Sequence, residues 1–296
     1  MGPGDFVPPM LAVTAPAPFS RPGWWFETKW DGYRAIISAG PQFRIYSRRG
    51  HDLLRWYPAL AEARAHVPED VVLDAELVAW VDGRPDFAAL QQRRAPHYLL
   101  MVFDCLYAGG RWLMHEPLEH RLRVLHDRVK TTGLVVVSDG VAEEGEAYWK
   151  AIRDLELEGV MAKRLDSGYF PGRRSPVWQK FLALRIEWLW VVAAQQAQDG
   201  TWYWHVADRT GTRFNGVGKV HAPAAWYPPS GPGGPEQMLK PFTVEVEYRE
   251  RTREGHLRHA RVRQWPQERA GGILTEDSTP GPHPVSGCGD HPHRGG

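Results

Sequence analysis

The sequence predicts an α+β protein in two parts: a strand-rich region carrying a few amphipathic helices, then a small all-β barrel. Three observations carry this. Apolar, β-rich runs broken by Gly, Pro and Asp turns recur over the first 185 or so positions. Two stretches of that region carry helical spacing instead. After Arg185 no long helical pattern returns, and several short strand patterns follow one another within about 80 residues, as small barrels require.

The elements follow in order. Residues 1–20, rich in Pro and Ala and without a period, are expected to form an extended lead-in. From Trp24 to Tyr46, breaks at Asp31-Gly32 and Gly40-Pro41 predict successive strands joined by tight turns. Residues 54–67 predict a short helix with Pro58 near its first turn. Residues 71–80 and 98–107 predict buried strands. Residues 116–130 predict a helix, with Pro117 at its start and Leu118, Leu122, Leu125 and Val129 at helical spacing. Residues 143–157 predict another, acidic in its first turn and stopped before Gly159, and Val160-Met161-Ala162 a short strand. Short strands are predicted at 188–194, 201–206, 213–217 and 242–248, with a Pro- and Gly-rich loop at 222–236. The domain division expected is 21–185, then 186–268, then a disordered tail over 269–296.

Composition bounds the function. Hydrophobic residues at 43% and charged residues at 24% fit a soluble globular chain. No apolar run approaches the roughly 20 residues of a membrane helix, and the start shows neither a basic segment nor an apolar signal core. Two cysteines, Cys105 and Cys288, cannot staple a chain this long, which points to a reducing cytoplasm. The net charge of +1 hides basic clusters. Between Met161 and Arg185 stand Lys163, Arg164, Arg173, Arg174, Lys180 and Arg185 against Asp166 alone. Between Tyr248 and Arg263 stand six arginines against Glu250 and Glu254. Such stretches suit a phosphate backbone, though each alone fits a solvated surface equally well.

The chemistry centres on Glu27-Thr28-Lys29-Trp30-Asp31-Gly32-Tyr33-Arg34. A lysine amine becomes nucleophilic when desolvation or neighbouring cations lower its pKa, and the Asp31-Gly32 turn would present Lys29 at a pocket rim. Lys-x-Asp-Gly alone is most often a structural turn. Further along come Ser47-Arg48-Arg49-Gly50, Leu73-Asp74-Ala75-Glu76-Leu77-Val78, Met101-Val102-Phe103-Asp104, Glu158-Gly159-Val160-Met161-Ala162-Lys163-Arg164 and Trp178-Gln179-Lys180. In order and spacing this series resembles the nucleotidyltransferase motifs of the covalent ligase and capping-enzyme superfamily. With Pro9-Met10-Leu11-Ala12 ahead of it, the wording resembles the ligase domain of bacterial end-joining, ATP-dependent DNA ligases, over roughly residues 8–268.

The resemblance implies an ATP-grasp-like nucleotidyltransferase domain of antiparallel sheets and helices, followed by an OB-fold barrel. It implies that Lys29 takes AMP from ATP, with Glu158 and Glu76 holding Mg²⁺ or Mn²⁺ or orienting the ribose. Glu27 joins the nucleotide-binding set. Lys163 and Lys180 would meet phosphate charge, Arg34 and Arg48 ribose or phosphate, and Phe103 would stack on adenine. Each has a bland rival: Phe103 as core, Glu76 and Glu158 as acids at strand ends, the four bases as surface or salt-bridge residues. The implied partner is nicked or broken duplex DNA, met by a monomer in the nucleoid-associated cytoplasm. Ku-like end-binding and polymerase proteins are further partners the resemblance leaves open. An RNA ligase, a capping-type guanylyltransferase, or an end-binding protein with a decayed site are the alternatives.

One position departs from the family's Trp-x-Lys-x-Lys: Leu182 stands where the second lysine belongs, with Arg185 the nearest base. Arg213-Phe214-Asn215-Gly216-Val217-Gly218-Lys219-Val220 and the stretch 242–259 resemble parts of the ligase OB domain, which would offer Arg258, Arg261 or Arg263 to pyrophosphate. Gly216-Val217-Gly218-Lys219 is not a P-loop, because Arg213 occupies the first Gly position and Val220 replaces Ser/Thr. His283, Cys288, His291 and His293 in the Pro/Gly-rich tail do not define a metal site.

Overall fold

In the computed structural model, residues 2–226, 236–252 and 255–265 are described. The chain divides into two units, Met1–Ala183 and Leu184–Gly296. The expected tail and most of the Pro/Gly-rich loop lie outside the described residues, as do the tail histidines and Cys288. No described helix is long and apolar enough to cross a membrane.

The first unit is built on two sheets. One has the order β1 (Leu11–Thr14), β12 (Arg174–Leu182), β11 (Gly159–Arg164), β2 (Trp24–Thr28) and β10 (Gly140–Ala142). The other has the order β4 (Phe43–Ser47), β3 (Tyr33–Ala39), β5 (Val71–Val81), β7 (His97–Ala108) and β8 (Arg111–Trp112). Short β6 (Arg84–Pro85) hairpins back onto β5, and β9 (Val135–Val137) lies parallel to β7. Most pairings are antiparallel, as hairpin-linked apolar runs favour.

Period-two alternation explains how each sheet is used. Phe26, Val160, Ala162 and Phe181 send one face of the first sheet into a core shared with Ile152 of α3 (Gly145–Asp154). The opposite face carries Glu27, Lys163 and Trp178. Between the sheets, Met10, Ile36, Val72, Phe103, Tyr169 and Trp178 form a second core. The outer face of the second sheet is buried by Leu118, Leu122 and Leu125 of α2 (Leu118–Arg128) and by residues 53–67. At about 25 cal/mol per Å² of apolar surface removed from water, these layers supply the main driving force for folding.

Three local expectations are corrected. The lead-in is not merely extended: β1 pairs in parallel with β12, and Val7 and Met10 are buried. Residues 54–67 form 3₁₀ turns, Leu53–Arg55 and Pro58–Ala65, instead of one α-helix. A helix absent from the sequence reading, α1 (Phe87–Gln92), is capped by Asp86 and ends at Arg93 in the left-handed region.

The second unit is a sheet ordered β15 (Arg213–His221), β14 (Trp202–Thr210), β13 (Arg185–Gln196), β16 (Glu236–Tyr248) and β19 (Arg261–Gln264), with a ribbon of β17 (Glu250–Arg251) and β18 (Leu257–Arg258). Its core is Leu189, Val191, Trp204, Val206, Val217, Val220, Val244 and Val246. Its strands run longer than the apolar patterns suggested, because their ends carry exposed polar residues. Four arginines of the cluster are matched by acids. Arg251 pairs with Glu187 and Asp208, Arg258 with Glu250, and Arg261 with Glu247. Arg263 lies 3.7 Å from Glu247. Sequence counting had set these arginines against only two acids; the strands bring in three or more others.

Candidate active site

Lys29 lies just past the end of β2, its backbone N–H donating to the Gly159 carbonyl at 2.9 Å. Gly159 in turn lies beneath β12, where an added Cβ would fall 2.0 Å from the Phe181 carbonyl oxygen. Gly32 is required for a similar reason. A Cβ there would meet the Leu77 carbonyl oxygen at 2.1 Å and Glu76 Cγ at 2.9 Å. The glycine of Lys-x-Asp-Gly therefore lets β3 approach the strand that carries Glu76; its φ is not left-handed.

Lys29 Nζ is 2.5 Å from Glu158 Oε2. Lys29, Arg34, Arg48, Glu76 and Lys180 all border one groove of about 830 Å³. Arg49, Arg93 and Arg174 border it too, and Glu76 is its only acid among the described residues. A narrower slot of about 80 Å³ shares Lys29, Arg34, Glu76 and Met161 with the groove and is further bordered by Glu27, Phe103, Lys163 and Trp178. The structure thus brings every residue of the sequence-derived site into one region, Glu158 through its contact with Lys29. Arg48 stands exposed on the turn after β4, whose Gly50 has φ +81°.

Strand register explains this convergence. Glu27, Met161 and Lys180 are cross-strand neighbours on β2, β11 and β12, and Trp25, Lys163 and Trp178 form the next row. On the facing sheet Arg34 is the neighbour of Glu76. Leu182 is opposite Gly159, two residues past Lys180. It therefore projects from the same strand face as Lys180.

Electrostatics sharpen the picture. Glu27 and Lys163 form a buried ion pair. Burial pushes the Glu27 carboxyl up to about 7, with Lys163 opposing. Burial likewise pushes Glu76 up to about 8; Lys29 and Arg34 pull it down, and nearby Glu158 pushes it further up. Phe103 borders the slot with the Lys163 ammonium 4.3 Å and the Arg34 guanidinium 4.9 Å from its ring centroid.

No cluster of three or more His, Cys, Asp or Glu able to hold a metal occurs among the described residues. Glu76 and Glu158 flank Lys29 as two hard oxygen donors. Mg²⁺ typically takes one or two carboxylates, keeps waters and completes its shell with substrate phosphate, so this donor set fits such an ion.

The sequence reading missed several residues at this site. Asp74 lies inside a quoted motif yet was given no role; it grips Arg34. Tyr169 and Met10 hold that pair; Met10 lies in the quoted Pro9-Met10-Leu11-Ala12, whereas no local pattern marks Tyr169. Trp56 borders the groove from the segment expected to be a helix, and His51 and Arg93 border it from stretches to which the sequence assigns no element.

A lysine beside two glutamates, in a groove lined by bases between two largely antiparallel sheets, is an arrangement that suits nucleotidyl transfer. The sequence profile described as "ATP dependent DNA ligase domain" matches residues 9–181, and the chain belongs to this family of enzymes. The multifunctional non-homologous end joining protein LigD of Mycolicibacterium smegmatis is 37% identical over 182 residues, covering 60% of this chain and 24% of LigD. This chain thus spans about a quarter of that relative's length. The SPbeta prophage-derived DNA ligase-like protein LigB of Bacillus subtilis is 27% identical over 280 residues, covering 88% of this chain and 99% of LigB. Among solved structures, the ligase domain of M. tuberculosis LigD superposes with a TM-score of 0.55 at 28% identity, covering 87% of this chain and 94% of that domain.

Proposed function

We propose that the chain seals nicks in duplex DNA through a lysyl-AMP intermediate on Lys29, in repair or end joining. The observation that carries this is the position of the Lys29 amine. It stands at the groove that Glu76 and seven Lys or Arg residues line, and 2.5 Å from Glu158.

The geometry supports three steps. In the first, the Lys29 amine, its proton passed to Glu158, attacks the ATP α-phosphorus; a P–N bond forms and the P–O bond to pyrophosphate breaks. The slot would hold the base, Phe103 and Met161 bordering it. Lys163 and Lys180 would face phosphate, and Arg34 and Arg48 ribose or phosphate oxygens. In the second, AMP passes to a DNA 5′-phosphate and Lys29 is released. In the third, a 3′-hydroxyl attacks that phosphate, the strand is joined and AMP leaves. A divalent ion held by Glu76 and Glu158 would neutralise phosphate charge throughout.

The second unit fits an OB-type barrel that grips DNA. It has five main strands, and the outer strands β15 and β19 come within 8 Å of each other, as a curled five-stranded barrel requires. Its last arginines pair with acids, so a role for Arg258, Arg261 or Arg263 at pyrophosphate would require those pairs to open.

Intact mass spectrometry after incubation with ATP and Mg²⁺, followed by peptide mapping, tests the reading. One AMP is expected on Lys29, lost on adding nicked DNA as joined strand appears. Covalent AMP that persists in Lys29→Ala would refute the assignment. Uptake of GMP from GTP, or discharge onto nicked RNA alone, would favour a capping enzyme or an RNA ligase.

A further inference from the structure

Arginine offers five N–H donors. Arg34 spends three inside the protein. Its Nε donates to Asp74 Oδ1 at 2.5 Å, and Nη2 donates to Asp74 Oδ2 at 2.6 Å and to the Met10 carbonyl at 3.2 Å. Its Nη1 has no acceptor among the described residues, while the side chain borders both the groove and the slot. The guanidinium therefore presents a fixed pair of donors to whatever oxygen enters. A fork held within a few tenths of an ångström is worth more than a mobile one, because its ordering cost is met on folding and not on binding.

What holds the holders is one hydroxyl. Tyr169, on the connection between β11 and β12, is buried. Its OH donates to Asp74 Oδ2 at 2.6 Å and accepts from the Met10 N–H at 2.9 Å. Asp74 and Met10 are the two residues on which Arg34 is anchored. We propose that Tyr169 is a positioning residue for nucleotide use, acting through Asp74 and Met10 to fix the donor fork of Arg34. Tyr169 borders neither the groove nor the slot, so any effect on ATP must pass through the groups it holds. Burial, and then the neighbouring Asp74 carboxylate, hold its phenol well above the ordinary tyrosine value, so it remains a donor across the working pH range. Its ring packs edge-on against Trp178 at 5.6 Å. Tyr169→Phe would keep that packing and delete both hydrogen bonds.

The inference rests on the ligase reading, and a double-mutant cycle separates the two. The rate of covalent AMP formation is measured against ATP concentration in the wild type, Tyr169→Phe, Arg34→Lys and the double variant, with melting temperature read alongside. Lysine cannot make the two-pronged contact with Asp74. Tyr169→Phe alone is expected to raise the half-saturating ATP concentration about tenfold, the size of effect lost charge-assisted positioning produces. In the Arg34→Lys background it is expected to change that value less than about twofold, since nothing remains for it to position. An equal tenfold loss in both backgrounds, or no loss in either, overturns the proposal. If Tyr169→Phe does not fold, Asp74→Asn takes its place in the same cycle with the same expectations. A wild-type protein that acquires no AMP would instead overturn the ligase reading, and with it the purpose assigned to Arg34.

Discussion

Glu27 gives the structure a pH dependence that can be worked out in advance. Its side chain is 1% exposed and faces Lys163. Burial moves its carboxyl from 4.5 to about 7, Lys163 opposing the rise. A carboxyl whose folded pKa lies above its unfolded one binds a proton more tightly in the folded protein. The stability this contributes is fully present below the unfolded value and is lost as pH rises through about 7. At about 1.4 kcal/mol per pH unit the full effect is on the order of 3 kcal/mol, most of it falling between pH 5 and pH 8. Glu27→Gln removes the titration while keeping the shape. Urea unfolding followed by tryptophan fluorescence, run on both proteins at the two pH values and one ionic strength, isolates it as a difference of differences. The stability of the variant relative to the wild type is expected to improve by roughly 2–3 kcal/mol from pH 5 to pH 8, whatever the substitution costs at either pH alone. A relative stability that does not move with pH would show that Glu27 is solvated in the folded protein, and the dry base of the slot would be refuted with it.

Three further outcomes follow from contacts already described. Gly32→Ala forces a methyl to 2.1 Å from the Leu77 carbonyl oxygen. The shift of β3 from β5 should slow AMP uptake at least about tenfold; a wild-type rate would mean the strands separate at no cost to Glu76. Asp104→Asn breaks a fully buried pair with Arg121, at 2.8 Å, and should cost about 3–5 kcal/mol in denaturant unfolding. A loss under 1 kcal/mol would show that the pair is dispensable. Leu182→Lys adds an ammonium on the strand face that carries Lys180; it should speed AMP uptake roughly tenfold, and an unchanged rate would show that this position does not reach the phosphate.

Much of the candidate site was legible because its chemistry is carried by residue types in sequence order. Lys29, Glu76, Phe103, Glu158, Lys163 and Lys180 sit in or beside short apolar runs, and period-two register needs no long-range information to choose a face. What was illegible depended on partners far away in sequence. The lead-in shows no period because β1 is four residues long and owes its order to β12, about 160 residues on. The turns at 53–65 look helical from Leu and Ala content, and periodicity cannot tell a 3₁₀ winding from an α-helical one. The six-residue α1 is too short to register a period. Asp74 was visible, but its service to Arg34 became apparent only with Tyr169 and Met10 in place.

The two basic clusters show why counting charges along a chain misleads. Of the bases between Met161 and Arg185, Lys163 pairs with Glu27 and Arg164 with Asp166, while Arg174 and Lys180 line the groove. Of the arginines of 248–263, Arg251, Arg258, Arg261 and Arg263 are met by Glu187, Asp208, Glu245, Glu247 and Glu250 from strands of the same unit, so the field of these four is largely cancelled at short range. Among the described residues Glu76 is the one acid lining the first unit's groove against seven bases, two of which, Lys29 and Arg34, are also met by Glu158 and Asp74. A phosphate chain approaching at physiological salt feels charges within roughly 8 Å. It would therefore be drawn to the groove that holds Lys29, and the overall charge of +1 conceals this concentration. Sheet geometry, through which strands happen to be neighbours, decides which arginines remain available to a ligand.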